Sequence, residues 1–313
     1  MLVNGEWKSK WDPVQQKDSE GRFLRQSSVF TCRISDPQAA VDKGLRLYIA
    51  YICPWATRTL IARSLLGLED VIDVKIVEPC LDDDGWQFGS FPGSTHSDVK
   101  GVEFAHQLYT ISDSTYSGRA TVPILWDVKA KQIINNESAD ILRILNDDLR
   151  PIHSSAINLY PTELQTDIDA FNESIYDSVN NGVYRAGFAS SQQAYDEAMI
   201  ILFERLEKLE LHFKENEYAV GNQLTESDIR LFVTLVRFDV AYHGLFKTNV
   251  KTIADFPALS AYLERLLQIE AFAKNTRVDH IKAGYYSIKA LNPSRIVPHG
   301  PILDWFKYLQ QGV

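Results

Sequence analysis

The sequence predicts an α/β domain over residues 1–150 followed by an all-α domain over residues 151–313. Three observations carry that expectation. Strand-like and helix-like patterns alternate between Arg46 and Leu145, a cysteine–proline pair sits at one strand-to-helix junction, and helical periodicity alone continues after Pro161. A chain of 313 residues also exceeds a typical single core, which favours two domains.

Residues 1–44 are polar with scattered aromatics (Trp7, Trp11, Phe23, Phe30) and read as an irregular N-terminal extension. Arg46 to Tyr51 is a short apolar, aromatic-rich run that suits a buried strand. Cys53-Pro54 follows, and from Ala56 to Leu68 the residues Leu60, Ile61, Ser64, Leu65 and Leu68 recur at helical spacing, with Gly67 as a stop signal. Val71 to Val77 alternates as a second strand, which makes a βαβ crossover. A long insertion over 79–118 is rich in Asp, Gly and Ser. Val122–Asp127 and Gln132–Asn135 then read as a hairpin, and Ser138–Leu145 as a helix with Ala139, Ile141, Leu142 and Leu145 on one stripe. The order βαβ…ββα is that of a thioredoxin-like domain. Residues 147–161, with two prolines, form a linker. Beyond it, Ala194–Phe213 and Pro257–Leu267 are helical, and Thr225-Glu226-Ser227-Asp228 opens a further helix as an aspartate variant of the capping box. The tail from Leu291, with Pro293, Pro298 and Pro301, is irregular.

Composition narrows the function. Hydrophobic content of 45% and charged content of 23% are those of an ordinary globular protein. A net charge of -9 disfavours a nucleic-acid or anionic-membrane partner. The N-terminus lacks an apolar signal core, Gln311-Gly312-Val313 is no targeting signal, and no apolar run approaches the ~20 residues of a membrane helix. Cys32, Cys53 and Cys80 are few and odd in number, form no CxxC pair and have no zinc-ligand spacing. These features predict a cytoplasmic, reduced protein with neither a disulfide framework nor a metal.

Cys53 is the candidate nucleophile. It follows a strand and opens a helix, where unpaired N–H groups and the positive end of the dipole favour thiolate over thiol. Pro54 fits the first turn, where a missing N–H costs nothing, and Arg58 lies one turn on. The position three residues later is Ala56, so no local disulfide can form and a mixed disulfide with an external thiol is the natural intermediate. Free cysteines are ordinarily small buried hydrophobes, and Cys32 and Cys80 are left in that class. Val122-Pro123 is a second signal: in this frame the peptide bond is cis and Val122 exposes backbone groups that can pair with a peptide-like ligand. Glu137-Ser138 is a third. It opens a helix, where a hydroxyl can hold an α-carboxylate and an acid can hold an α-ammonium.

Together these residues resemble the glutathione transferase superfamily, and more narrowly its Xi-class glutathionyl-hydroquinone reductase branch with omega-like fungal relatives. The resemblance is carried by Trp7-Lys8 through Gly21-Arg22-Phe23, Tyr51-Ile52-Cys53-Pro54-Trp55-Ala56, Gly85-Trp86-x-Phe88, Tyr116 to Asp127, Asn136-Glu137-Ser138, His280-Ile281-Lys282, Tyr285-Tyr286 and Ile296 to Pro301. It implies a C-terminal helical glutathione-transferase domain, glutathione as a substrate, glutathionylated aromatic small molecules as partners, and a homodimer. It also implies that Cys53 takes glutathione from a glutathionyl-hydroquinone, with Trp86, Arg119, Val122, Glu137 and Ser138 binding glutathione. Tyr184 and Tyr285 or Tyr286 are implied to hold the quinol oxygen and assist proton transfer.

The chain departs from the family pattern at Thr57, Ala283, Gly284, Ile288 and Lys289, which fall near the expected aromatic pocket. That leaves a broader omega-like thiol transferase or dehydroascorbate reductase as the alternative. A non-enzymatic glutathione-binding scaffold is the alternative of a different class. A conventional transferase activating glutathione through Ser or Tyr has no clear activator in the sequence.

Overall fold

The computed structural model describes residues 1–9, 18–24 and 26–309. Trp11 and Gln311-Gly312-Val313 lie outside the described residues. The described chain divides into two compact units, one of residues 1–9 and 26–157, the other of residues 18–24 and 158–309. The N-terminal extension is thereby split: part belongs with each unit.

Unit 1 opens with a hairpin of β1 (Leu2–Val3) and β2 (Glu6–Trp7), then α1 (Pro37–Lys43), capped by the Asp36 carboxylate, which accepts from the Ala39 N–H at 3.0 Å. The central sheet contains β3 (Leu45–Ile49), every residue of which is buried. After it come α2 (Pro54–Leu65) and β4 (Ile72–Ile76), parallel to β3 with Leu47 opposite Val74. The insertion is less irregular than its composition predicts. It holds a short hairpin, β5 (Leu81–Asp82) and β6 (Gly85–Trp86), and a helix, α3 (Ala105–Ser112). The α3 start is fixed by Gln107, whose Oε1 accepts from the N–H groups of Glu103 and Phe104 at 2.7 and 2.9 Å. The antiparallel pair β7 (Ile124–Asp127) and β8 (Gln132–Asn135) completes a four-stranded sheet in the order β4-β3-β7-β8. Then α4 (Ser138–Arg143) packs against α2.

The extension protects the free edge of this sheet. Thr31 bridges Asn135, and the Cys32 N–H donates to the Ile134 carbonyl at 3.1 Å. An edge covered in this way cannot template a second chain. Helix α2 is buried on nearly all sides, including Thr57, Arg58 and Thr59, so its N-terminus is held by packing rather than by one amphipathic face. It ends at Leu65, and Gly67 follows with φ +65°, the left-handed turn that glycine makes without Cβ strain.

An aromatic stack fastens β2 to the insertion. His106 lies between Trp7 and Phe104, with ring centroids 4.3 and 5.5 Å away. Burial pushes its pKa down to about 4, with Asp84 acting against the shift. The unfolded chain therefore takes up this proton near pH 6.5 and the folded chain only near pH 4. Stability that is complete above pH 6.5 is lost as pH falls through that window. Urea unfolding of His106→Phe against wild type should show a flatter decline between pH 6.5 and 4, by on the order of 1 kcal/mol after allowance for solvent screening; parallel profiles would refute the assignment.

Unit 2 is all helical: α5 (Gln165–Ile175), α6 (Gly182–Gly187), α7 (Gln192–Glu215), α8 (Glu226–Arg237), α9 (His243–Leu245), α10 (Pro257–Leu267), α11 (Glu270–Ala273) and α12 (Val278–Tyr286). A wide turn over Phe238–Tyr242 joins α8 to α9. The capping box at Thr225 forms as its sequence predicts, with the Thr225 N–H donating to Asp228 Oδ2 at 2.9 Å. The same buried carboxylate also accepts from the Ala219 N–H and the Tyr262 hydroxyl, each at 2.8 Å. Helix α10 is capped from outside by Glu210 of α7, which accepts from the Ala258 and Leu259 N–H groups at 2.9 Å. Phe23 of the extension rests on Phe188, and Arg22 bridges Glu197. Among the described residues no helix is long and apolar enough to cross a membrane.

Candidate functional site

Unit 1 brings the thiol, the cis-proline turn and the α4 opening to one end of its sheet. Cys53 is the residue before the first turn of α2, in extended backbone geometry, with Pro54 at the first helical position. Its Sγ lies 3.5 Å from the Val122 carbonyl oxygen, to which the thiol donates. The Val122–Pro123 bond is cis. The Thr57 hydroxyl donates to the Cys53 carbonyl at 3.0 Å. Thr57 is fully buried, so this bond braces the backbone of the candidate nucleophile from inside the helix. Arg58 is buried with its guanidinium 4.3 Å from the centroid of the Trp55 ring. Cys32 is exposed, Cys80 half-buried, and no disulfide joins any of the three cysteines.

The other predicted glutathione-site residues are distributed as follows. Glu137 caps α4, its Oε1 accepting from the Ala139 N–H at 3.2 Å. Its second oxygen accepts from the Ser28 hydroxyl at 2.9 Å, and the buried Ser138 hydroxyl donates to Oε1 at 3.4 Å. Ser28 belongs to the extension, and nothing in its sequence context marks it. Trp86 ends β6. The preceding Gly85 has φ +88°, and a Cβ there would meet the Trp7 ring at 3.0 Å. The Gly85-Trp86 pair thus needs its glycine for the hairpin, and Trp7 is a packing residue. Arg119 precedes the cis turn; after burial, its charge is what holds the Met1 ammonium below its usual range.

Tyr109 of α3 ties the two predicted glutathione-site segments together. Its hydroxyl donates to the Thr121 carbonyl at 2.9 Å and accepts from the Thr121 N–H at 3.2 Å and from Asn136 Nδ2 at 3.0 Å. Thr121 precedes the cis turn and Asn136 precedes the α4 cap. The phenol is fully buried, which pushes its pKa up and keeps it a donor. Tyr109→Phe leaves three backbone and amide groups short of a partner, so we expect a loss of about 2 kcal/mol in stability. We also expect glutathione affinity to weaken several-fold, readable by calorimetry; unchanged binding would separate Tyr109 from the site.

Unit 2 carries the tyrosines. Tyr184 of α6 and Tyr285 of α12 lie with their hydroxyls 2.6 Å apart. Tyr286 is half-buried and turns instead toward Gly244, where an added Cβ would lie 3.1 Å from its hydroxyl. Tyr184 and Tyr285 are therefore brought together, and Tyr286 is not part of the pair. A third phenol, Tyr242, stands 2.9 Å from the Tyr285 hydroxyl. It lies in an apolar run, Val240-Ala241-Tyr242, which reads as core filling. A separate cleft in unit 2, of about 350 Å³, is lined by Asp18, Arg22, Phe23, Tyr176 and Arg185 among others. Its Arg22 is already paired with Asp18, Glu20 and Glu197, and it contains none of the predicted site residues. Among the described residues no group of three or more His, Cys, Asp or Glu could hold a metal ion.

Two family models match the chain: the glutathione S-transferase N-terminal domain over residues 52–148 and the C-terminal domain over residues 192–265. The chain is 43% identical to glutathionyl-hydroquinone reductase PcpF of Sphingobium chlorophenolicum, with 96% of each chain covered. Among solved structures it is similar to a Xi-class glutathione transferase from Natrialba magadii, with a TM-score of 0.90 and 40% identity, covering 97% of this chain and 94% of that one. It is also similar to the glutathione-bound structure of YqjG, a glutathione transferase homologue from Escherichia coli K-12. There the TM-score is 0.85 and the identity 42%, with coverage of 97% and 96%.

Proposed function

Because the chain belongs to the glutathione transferase superfamily, in its Xi-class glutathionyl-hydroquinone reductase branch, we propose that it removes glutathione from glutathionyl-hydroquinones through a Cys53–glutathione mixed disulfide. One observation supports this most strongly: a solitary thiol at the N-terminus of α2, with its Sγ 3.5 Å from the Val122 carbonyl and Ala56 where a resolving cysteine would stand. The helix terminus favours the thiolate. The thiolate attacks the conjugate's sulfur, the hydroquinone leaves, and a second glutathione attacks the mixed disulfide to give oxidised glutathione.

Val122 offers backbone groups to the tripeptide, Glu137 takes the γ-glutamyl ammonium, and Ser138 takes its carboxylate. Trp86 lies against glutathione and Arg119 contributes charge. These assignments rest on the resemblance and on the segment geometry around Tyr109. Tyr184 and Tyr285 serve the quinol ring, and Tyr286 is set aside on the basis of its separation from that pair. We also assign a cytoplasmic homodimer, on the resemblance alone; light scattering after gel filtration tests the dimer.

The test of function is a side-by-side assay with a glutathionyl-hydroquinone and a glutathione mixed disulfide. Turnover of the first supports the proposal. Turnover of only the second points to the broader thiol transferase, which uses the same cysteine.

A further inference from the structure

Residues 26–30 of the extension lie against unit 1 with alternating exposure. Gln26, Ser28 and Phe30 are half-buried, whereas Ser27 and Val29 are exposed. A period of two is that of extended backbone, so the three half-buried side chains face the unit together. Gln26 Oε1 accepts from the Arg119 N–H at 3.2 Å. The Phe30 ring lies 5.7 Å from the rings of both Tyr109 and Tyr116. The Phe30 N–H donates to Asn136 Oδ1 at 3.1 Å, and its carbonyl accepts from the Asn136 N–H at 3.0 Å. Between these anchors the Ser28 hydroxyl donates to Glu137 Oε2 at 2.9 Å, with the Asn136 carbonyl 3.3 Å away. The stretch thus runs from one predicted glutathione-binding segment, at Arg119, to another, at Glu137. Covering the sheet edge accounts for Thr31 and Cys32, whose contacts are with Asn135 and Ile134. It does not account for the side chains of Gln26 and Ser28.

Glu137 is held at both carboxylate oxygens. Oε1 accepts from the Ala139 N–H at 3.2 Å and from the Ser138 hydroxyl at 3.4 Å, and Oε2 accepts from Ser28. All three donors are neutral, so they fix the direction of the carboxylate without cancelling its charge. An ionised carboxylate offers about four lone-pair sites, which leaves room for a cation. A loose glutamate side chain would give up its rotamer freedom on binding that cation, whereas this one has given it up on folding. Without the Ser28 hydroxyl, only Oε1 stays held, and the carboxylate can turn about its last bond, a soft torsion.

Resting on the proposed glutathione reading, we infer that Ser28 is a positioning residue for the γ-glutamyl ammonium, acting through Glu137, and that residues 26–30 of the extension belong to the glutathione site. The whole arrangement lies within unit 1. Ser28 touches no reacting atom, so its effect falls on recognition of one end of the tripeptide and not on the chemistry at Cys53.

Equilibrium binding to the reduced enzyme tests this with two ligands that cannot form a disulfide. One is S-methylglutathione. The other is its analogue with glutaryl in place of γ-glutamyl, which lacks only the α-ammonium. Calorimetry on wild type, Ser28→Ala and Ser28→Thr gives each protein's discrimination between the two. Wild type should prefer S-methylglutathione. Ser28→Ala should bind it about fivefold more weakly, the order expected for loss of one hydrogen bond, while its affinity for the glutaryl analogue stays close to that of wild type. Ser28→Thr keeps the hydroxyl and should restore the preference. Unchanged discrimination in Ser28→Ala would overturn the inference, and so would equal weakening of both ligands, the mark of a residue that only packs. If wild type itself binds the two ligands equally, the assignment of Glu137 to the ammonium fails and the inference falls with it, a result the wild-type arm alone identifies.

Discussion

Replacement of Cys53 by serine is expected to lower turnover of a glutathionyl-hydroquinone by about 10³-fold or more, since a hydroxyl is a far weaker nucleophile at neutral pH and cannot form a disulfide. The effect should be free of any folding defect. Cys53 is half-buried and its side-chain contact with the Val122 carbonyl at 3.5 Å is one a serine hydroxyl can also make. Circular dichroism and thermal unfolding should therefore match wild type while activity disappears with both quinol and disulfide substrates. Retained reductase activity in the serine variant would move the nucleophile elsewhere.

The largest expected effect on stability is at Asp228. Its carboxylate is completely buried and accepts from the Thr225 and Ala219 N–H groups and from the Tyr262 and Thr225 hydroxyls. It therefore does more than cap α8. It fastens the segment before that helix at Ala219 and holds α10 through Tyr262. Alanine removes all of these acceptors at once and strands buried donors, so Asp228→Ala should cost about 3 kcal/mol or more. For a domain of this size that corresponds to a fall of roughly 6–12 °C in Tm. Calorimetry checks it, and a loss below 1 °C would mean that the capping knot is not what holds these helices.

Much of this architecture was legible because it is written in short-range patterns. The Pro257 start and Leu267 end of α10 are visible as a proline followed by helical spacing, and Gln132–Asn135 as a strand after a short turn. Cys53 was legible because strand, cysteine, proline and helix occur in sequence order. What stayed hidden depends on distant partners. Helix α3 lies in a stretch whose Asp, Gly and Ser content suggests loop, and its start is fixed by a single glutamine. Tyr109 looks like ordinary core, and only the fold shows its hydroxyl joining Thr121 to Asn136. Ser28 meets Glu137 across 109 residues of sequence. Tyr285 and Tyr286 are adjacent and chemically identical, and only the helical phase of α12 turns one toward Tyr184 and the other away. Thr57 is fully buried at a position whose burial no local feature betrays.

Under the proposed function, Cys53 takes glutathione from the aromatic conjugate. This transfer is tested most directly by mixing the reduced enzyme with a stoichiometric amount of glutathionyl-hydroquinone, with no free glutathione present. Intact mass and peptide mapping then follow the protein, and chromatography follows the small molecules. The expected result is one free hydroquinone released per enzyme and one glutathione added, on the peptide containing Cys53, removed again when free glutathione is supplied. Hydroquinone release without that adduct, or no release while a glutathione mixed disulfide still modifies Cys53, would contradict it.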